Sequence, residues 1–236
     1  MGLNFSDRHV VVTGGTGALG TAVVQQLLDA GATCHVSCIK PEELERFEFK
    51  AHPKVKVQTG VELTDEKMVE SFYAKFGAGM PLWASINVAG GFAMAAADTV
   101  SKADFVSMMQ GNALSCFLCC RESVRKMKGV GGRIVNVAAR PGIMPELGAG
   151  MVPYTTSKAA VAAITQSLAA EVAGQRIWVN AVVPSIMDTR ANRAAMPSAD
   201  HSKWPKLDEV AATIVFLASP ENKVTRGALV PVYGKS

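Results

Sequence analysis

Short apolar runs alternate with amphipathic segments along most of the chain. "HVVVTGG" is a β-branched run closed by glycines, which reads as a buried strand entering a turn. It is followed by "ALGTAVVQQLLDAGA", whose apolar residues recur at helix spacing and whose Gly31 suits a helix C-cap. "ATCHVSCI" and "KVKVQTGV" read as further strands. "LWASINVAGG" precedes one long helical pattern, "ADFVSMMQGNALSCFLCCRESVRKM", and "GRIVNVAA" precedes "YTTSKAAVAAITQSLAAEVAG". The chain closes with the strand "RIWVNAVVPS", the helix "DEVAATIVFLAS" and the strand "ALVPVY". This alternation predicts an α/β protein, a doubly wound parallel sheet with helices on both faces. Ligands of such sheets bind beyond the carboxyl ends of the strands, so functional residues are expected just after each strand. The longest irregular piece is "SIMDTRANRAAMPSADHSKWPKL".

Composition narrows the picture. With 236 residues, 49% of them hydrophobic and only 19% charged, the chain suits a single domain, residues 1–236, around a buried sheet. The net charge of +4 is modest and no dense Lys/Arg run occurs, so nucleic acid is not an expected partner. Five cysteines, at 34, 38, 116, 119 and 120, form no zinc pattern. The last three have helical spacing and read as small core residues, which fits a reducing, cytoplasmic setting. No charged-then-apolar leader and no long apolar run is present, so neither secretion nor a membrane partner is expected.

Candidate chemistry gathers at two places. After the first strand comes "TGGTGALG", Thr13 to Gly20, opening a helix. Glycines let a backbone approach a pyrophosphate, and the helix start offers free N–H groups and the positive end of its dipole. In "YTTSK", Tyr154 and Lys158 are four residues apart and share a helix face. A phenol of ordinary pKa about 10 is a poor acid or base at neutral pH, and a nearby ammonium is expected to lower that value.

"TGGTGALG", "NVAG", "YTTSK" and "RIWVNAVVPS" occur in an order and spacing that resembles the short-chain dehydrogenase/reductase family, over essentially the whole chain. The resemblance implies a Rossmann-type sheet, a nicotinamide dinucleotide, a small-molecule substrate and a homodimer or homotetramer. It places Thr13, Gly14, Thr16, Ala18, Leu19 and Gly20 in the phosphate loop, with Ala18 standing where a middle glycine is common. Glu62 and Leu63 fall where an acid reads the adenine amino group, with a solvated strand end as the other reading of Glu62. Asn87, Ala89 and Gly90 fall on the adenosine side. Pro184, Ile186 and Thr189 fall against the nicotinamide. Tyr154 and Lys158 become the catalytic pair, the lysine also holding the nicotinamide ribose, and Asn112 in "QGNALS" supports a proton-relay water.

Cofactor choice is read at the end of the second strand, where a carboxylate accepts hydrogen bonds from a free ribose 2′-hydroxyl and repels a 2′-phosphate. Here stand Cys38, Ile39 and Lys40. NADP(H) is therefore expected to be favoured over NAD(H), with Lys40 as a plain surface charge the alternative.

The family also places a serine at the end of the fifth strand, which donates to the substrate carbonyl. "GRIVNVAA" puts Ala138 and Ala139 there, with Ala139 the aligned substrate contact. Losing such a donor typically costs about 2.7 to 4 kcal/mol of transition-state stabilisation. A serine-less strand with the tyrosine and lysine intact, "VAGGFA", and "DTRANRAAMPSADHSKW" resemble quinonoid dihydropteridine reductase and its bacterial relatives. That resemblance implies hydride transfer to a conjugated pterin with no isolated carbonyl to clamp. Phe92 would then stack on a flat heterocycle, or anchor its loop; Met196 and Trp204 would close the pocket, or simply pack. Rival expectations are a reductase of another ketone, quinone or imine, and a non-catalytic dinucleotide-binding protein.

Overall fold

The chain folds into seven parallel strands in the order β3-β2-β1-β4-β5-β6-β7, here seen in a computed structural model that describes residues 2–236. The strands are β1 (His9–Thr13), β2 (Thr33–Ser37), β3 (Val55–Gln58), β4 (Leu82–Asn87), β5 (Gly132–Val137), β6 (Ile177–Pro184) and β7 (Leu229–Val232). The helices are α1 (Ala18–Asp29), α2 (Glu66–Tyr73), α3 (Lys102–Met109), α4 (Ser115–Met127), α5 (Arg140–Ile143), α6 (Val152–Glu171), α7 (Arg190–Ala195) and α8 (Leu207–Ala218).

Alternation along β1 divides the core. Val10 and Val12 pack with the α1 residues Val23, Val24 and Leu27 and with Ile214 of α8. Val11 points the other way, into a second core with Phe72 of α2, Cys119 of α4 and Val161 of α6. Every residue of β5 is buried, as a central strand covered on both faces requires. The chain runs outward from β1 through β2 to β3, then returns to β4 on the other side of β1. That reversal opens a crevice between the carboxyl ends of β1 and β4, where open α/β sheets bind their ligands.

Two departures from the sequence pattern bear on the site. The long helical pattern after β4 is interrupted by a π-helical turn at Gln110–Leu114, which separates α3 from α4. The segment after β6 is not wholly irregular: Thr189 caps α7 by accepting from Asn192 N at 3.1 Å. All five cysteines are free and buried. Among the described residues no helix is long and apolar enough to cross a membrane, and no His/Cys/Asp/Glu group is placed to hold a metal ion.

Candidate active site

A cavity of about 660 Å³ lies over the crevice. Its floor is the glycine loop. Gly14 has φ +63°, and a Cβ there would fall 2.9 Å from the Ala89 backbone, so the loop of β1 can meet that of β4 only with glycine at this position. A Cβ on Gly20 would collide with the Gly14 carbonyl oxygen, which lets α1 start tight against the loop. The α1 N-terminus is left open: Gly17 caps it with no side chain, and its first turn holds no acid. By contrast, Asp65 caps α2 and a Ser101–Asp104 capping box closes α3. Free N–H groups at a helix start that faces a cavity constitute an anion site.

One end of the cavity lies at β2 and β3. Ser37, Ile39 and Glu43 line it together with Glu62, Leu63 and Thr64. Ser37 is 2% exposed and its Oγ has no hydrogen-bond partner, an orphan hydroxyl in the wall of an open space. Glu43, on a 3₁₀ turn at Pro41–Glu45, accepts a hydrogen bond from Thr16 Oγ1 at 2.6 Å, which ties this turn to the glycine loop. The Glu62 carboxylate folds back to accept from the backbone N and the hydroxyl of Thr64 at 3.1 and 2.9 Å. Lys40 is exposed and does not line the cavity; the Cys38 thiol donates to its carbonyl at 2.9 Å. Lys40, on which the expectation of NADP(H) was built, thus lies outside the cavity lining, and the charged side chains within this end are two carboxylates, Glu43 and Glu62.

The other end is formed by Phe92, Gly111, Ser115, Val137, Ala138, Tyr154, Lys158, Pro184, Ser185 and Met187. Lys158 is buried and donates from Nζ to Val137 O at 2.8 Å. Burial holds it down at about 8, with the adjacent Cys116 thiol pulling weakly the other way. Tyr154 is half-buried, and burial pushes its phenol up to about 12. This runs opposite to the expected acidification, and loss of water around the phenol is the cause. The Phe92 ring meets Tyr154 edge-on, with centroids 4.9 Å apart.

Asn112 sits behind this pair, buried on the π-helical turn. Its side chain accepts from Gly91 N at 2.9 Å and donates to Gly91 O at 3.1 Å and Ser157 Oγ at 3.0 Å. It therefore clamps the loop after β4 to α6. A Cβ on Gly90 would fall 3.4 Å from Lys158 Nζ, so the glycine backbone, the lysine and Asn112 converge.

Several expected contacts lie elsewhere. Thr13 and Asn87 are buried beneath the cavity: Thr13 Oγ1 accepts from Ala89 N at 3.3 Å, and Asn87 donates to Asn136 Oδ1 at 2.8 Å. Both support the wall without lining it. Ala138 lines the cavity, whereas Ala139 is buried as the N-cap of α5, so the strand-end contact moves back one residue. The Ile186 side chain is 44% exposed, which leaves only its backbone to face the cavity, Met187 lines the wall beside it, and the Thr189 hydroxyl accepts from Asn192 N to cap α7 while keeping its own proton to donate. Met196 and Trp204 do not line the cavity either. Trp204 is buried against the His201 ring at 4.5 Å, and His201 Nε2 sits 2.8 Å from Met196 O, so the segment packs on itself. Ser37, Glu43, Ser115 and Met187 line the cavity without having been expected there. A rule that inspects only the strand end cannot see a carboxylate carried back by a following turn.

A phosphate-ready glycine loop at the switch point of a parallel sheet, with an orphan hydroxyl at one end and a phenol beside a lysine at the other, defines a dinucleotide-dependent redox protein. A family model described as short chain dehydrogenase matches residues 8–200, and the chain belongs to that family of NAD(P)-dependent oxidoreductases. It is 32% identical to galactitol 2-dehydrogenase of Rhizobium johnstonii, over 95% of this chain and 93% of that one. It is 27% identical to a 3-oxoacyl-acyl-carrier-protein reductase of Aquifex aeolicus, over 99% of each. A solved structure of a putative gluconate dehydrogenase from Agrobacterium tumefaciens superposes with a TM-score of 0.88 at 26% identity, over 98% of this chain and 96% of that one.

Proposed function

We propose that this oxidoreductase reduces a small conjugated substrate, of which a quinonoid dihydropterin is the example to test first. The observation that carries the reading is the strand end. The Tyr154–Lys158 pair is in place, yet the two residues that follow β5, Ala138 in the cavity lining and Ala139 behind it, carry no hydroxyl where a ketone would need a second donor. No other hydroxyl takes over: Ser185 Oγ donates to Tyr233 O at 2.9 Å and Ser115 Oγ to Gly111 O at 2.6 Å. A conjugated acceptor spreads the charge that arrives with hydride, so one proton donor suffices.

The cavity fits a nicotinamide dinucleotide. The open α1 N-terminus and glycine loop would hold the pyrophosphate, the orphan Ser37 hydroxyl a ribose, and Lys158 the second ribose. When bound, the dinucleotide supplies the hydride. Tyr154, whose phenol burial pushes up to about 12, would donate the proton that the reduced substrate takes up. Asn112 holds the loop of Gly90 and Gly91 in place beside it.

A second reading, reduction of a ketone or oxidation of an alcohol, draws on the names of the relatives, which include a polyol dehydrogenase and an oxoacyl reductase. The two readings part in one experiment. Purified protein with NADH or NADPH is offered quinonoid dihydropterin, quinones and simple ketones, as wild type and as Ala138→Ser. On the conjugated substrate the added hydroxyl should change turnover by less than about tenfold, and on ketones it should raise it. Turnover confined to ketones, or a large gain on the pterin, overturns the first reading.

A homodimer or homotetramer is the assembly we propose, through the apolar side chains that α3, α4 and the turn between them leave exposed: Phe105, Val106, Leu114 and Phe117.

A further inference from the structure

The chain between β6 and α8 folds into a body of its own and joins the rest of the molecule at a narrow neck. Inside the body, Met187 O accepts from Thr189 N at 2.9 Å and from Asn192 Nδ2 at 2.8 Å, and Arg193 pairs with Asp188. At the neck the outgoing and returning chain touch, Asp188 N donating to Pro205 O at 3.0 Å. The cavity wall passes here too, since Ser185 and Met187 line it. The four residues that follow β7, Tyr233 to Ser236, grip both sides of this neck. On the outgoing side, Ser185 Oγ donates to Tyr233 O at 2.9 Å, and Ser236 Oγ lies 2.7 Å from both Ser185 Oγ and Tyr233 O. On the returning side, Lys235 N donates to Lys203 O at 2.9 Å. Gly234, at φ +65°, is pressed so close that a Cβ would fall 2.8 Å from Lys203 O and from Pro205 N. The Tyr233 ring lies under the Arg140 guanidinium, whose carbon is 4.6 Å from the ring centroid, and packs on the core shared by α2, α4 and α6.

From this geometry we infer that Tyr233–Ser236 is a clasp that positions the Ser185–Met187 wall of the cavity, with Gly234 and Ser236 as its positioning residues, and so sets how tightly the nicotinamide half of the dinucleotide is held. The inference rests on the reading of the cavity as a dinucleotide site. With one ribose at Ser37 and the other at Lys158, the nicotinamide falls at the end formed by Pro184, Ser185 and Met187. Both hydrogen bonds of the Ser185 hydroxyl go to the clasp, so the part this residue plays in the wall is one of place. The body keeps its own bonds when the neck is freed, so it swings as a unit and carries Met187 with it. Glycine is required at 234 twice over, for the left-handed backbone and for the close approach to Lys203 and Pro205. The adenosine end is built on β1, β2 and β3, none of which the clasp touches, so its effect is confined to the far half of the ligand.

The test compares ligands that reach the clasped wall with ligands that stop short of it. NADH and NADPH reach it; ADP-ribose and its 2′-phosphate end at the second ribose. Dissociation constants for all four are measured by titration for wild type, Gly234→Ala, Ser236→Ala and Ser236→Thr, and melting curves confirm that each variant is folded. Gly234→Ala should weaken both dinucleotides by about tenfold or more, the loss that follows when the clasped form falls to about a tenth of the population, and leave the ADP-ribose pair within about threefold. Ser236→Ala removes one hydrogen bond of the grip and should weaken the dinucleotides by about two- to tenfold, whereas Ser236→Thr, which keeps the hydroxyl, should restore them. If Gly234→Ala does not fold, the Ser236 pair alone decides. Equal losses on the dinucleotides and the ADP-ribose pair, or dinucleotide affinity unmoved in the folded variants, overturn the clasp and leave the dinucleotide site standing. Binding of none of the four ligands to wild type overturns the site itself.

Discussion

Tyr154 and Lys158 sit one helical turn apart in a place with little water, and each is driven toward its uncharged form. For the tyrosine this means a phenol that keeps its proton. Tyr154→Phe should lower turnover by about 10²- to 10⁴-fold, the usual worth of a placed proton donor, with dinucleotide affinity within about threefold of wild type; stopped-flow and titration data on one preparation check both. For the lysine the effect reaches stability. Its folded value of about 8 lies below the ordinary 10.5, so charging it opposes folding. That penalty is complete below about pH 8 and gone above about 10.5, because across the window the unfolded chain binds the extra proton. Stability should therefore gain with pH between those limits from this residue, and Lys158→Met should remove that part of the gain. Melting curves of the two proteins across the window would show parallel lines if the lysine carries no such penalty. The pairing of these residues was plain in "YTTSK", whereas the direction of their shifts was not. Spacing tells which groups share a helix face; it does not tell how much water remains around them.

At the scale of elements, the two ends of the sheet are finished differently. The carboxyl ends carry loops with open donors; the amino ends are closed by stacked rings and guanidinium groups. Arg133 of β5 lies with its guanidinium carbon 4.3 Å from the Trp178 ring centroid on β6 and 5.2 Å from that of Trp83 on β4, and Arg8 covers Trp83 at 3.7 Å. Arg133 also donates to Asn222 O at 2.8 Å, and Trp83 Nε1 donates to Ala218 O at 3.0 Å, which fastens the end of α8 beneath the strands. Replacing Arg133 by Met should cost about 1 to 3 kcal/mol, through lost stacking and an unpaired carbonyl. Lysine should not restore it, since a compact ammonium cannot lie flat on two rings. Urea unfolding of the three proteins would decide, and full rescue by lysine would show that charge alone matters. Strands and two of the long helices were legible from periodicity, because β1, β4, β5 and β6 are apolar runs and α1 and α8 carry apolar stripes, whereas the buried face of α6 includes Thr155, Ser157, Lys158 and Thr165. The break between α3 and α4 was not. A π-helical turn adds one residue to a single turn and needs no helix breaker, and Gly111 within that pattern was its one local sign.

Over the whole molecule, the fold was more readable than the ends of the cavity, since sheet order follows from connection rules while side-chain direction depends on where each loop turns. Ile186 and Met187 are neighbours in an apolar stretch, and only the path of the chain after β6 sends the second inward. Glu43 reaches the cavity for the same reason. The five buried cysteines, spread over β2, the residue after it, and α4, give this fold an internal clock. A thiol reagent added to the native protein should find nothing to react with, so its rate of uptake measures how often each region opens. Cys34 and Cys38 report on the half beside the glycine loop, and Cys116, Cys119 and Cys120 on the half behind Lys158. Saturating dinucleotide should slow labelling of both groups, as any ligand that binds only the closed form must. Five fast-reacting thiols in the native protein would show instead that the two halves of the sheet come apart readily in solution.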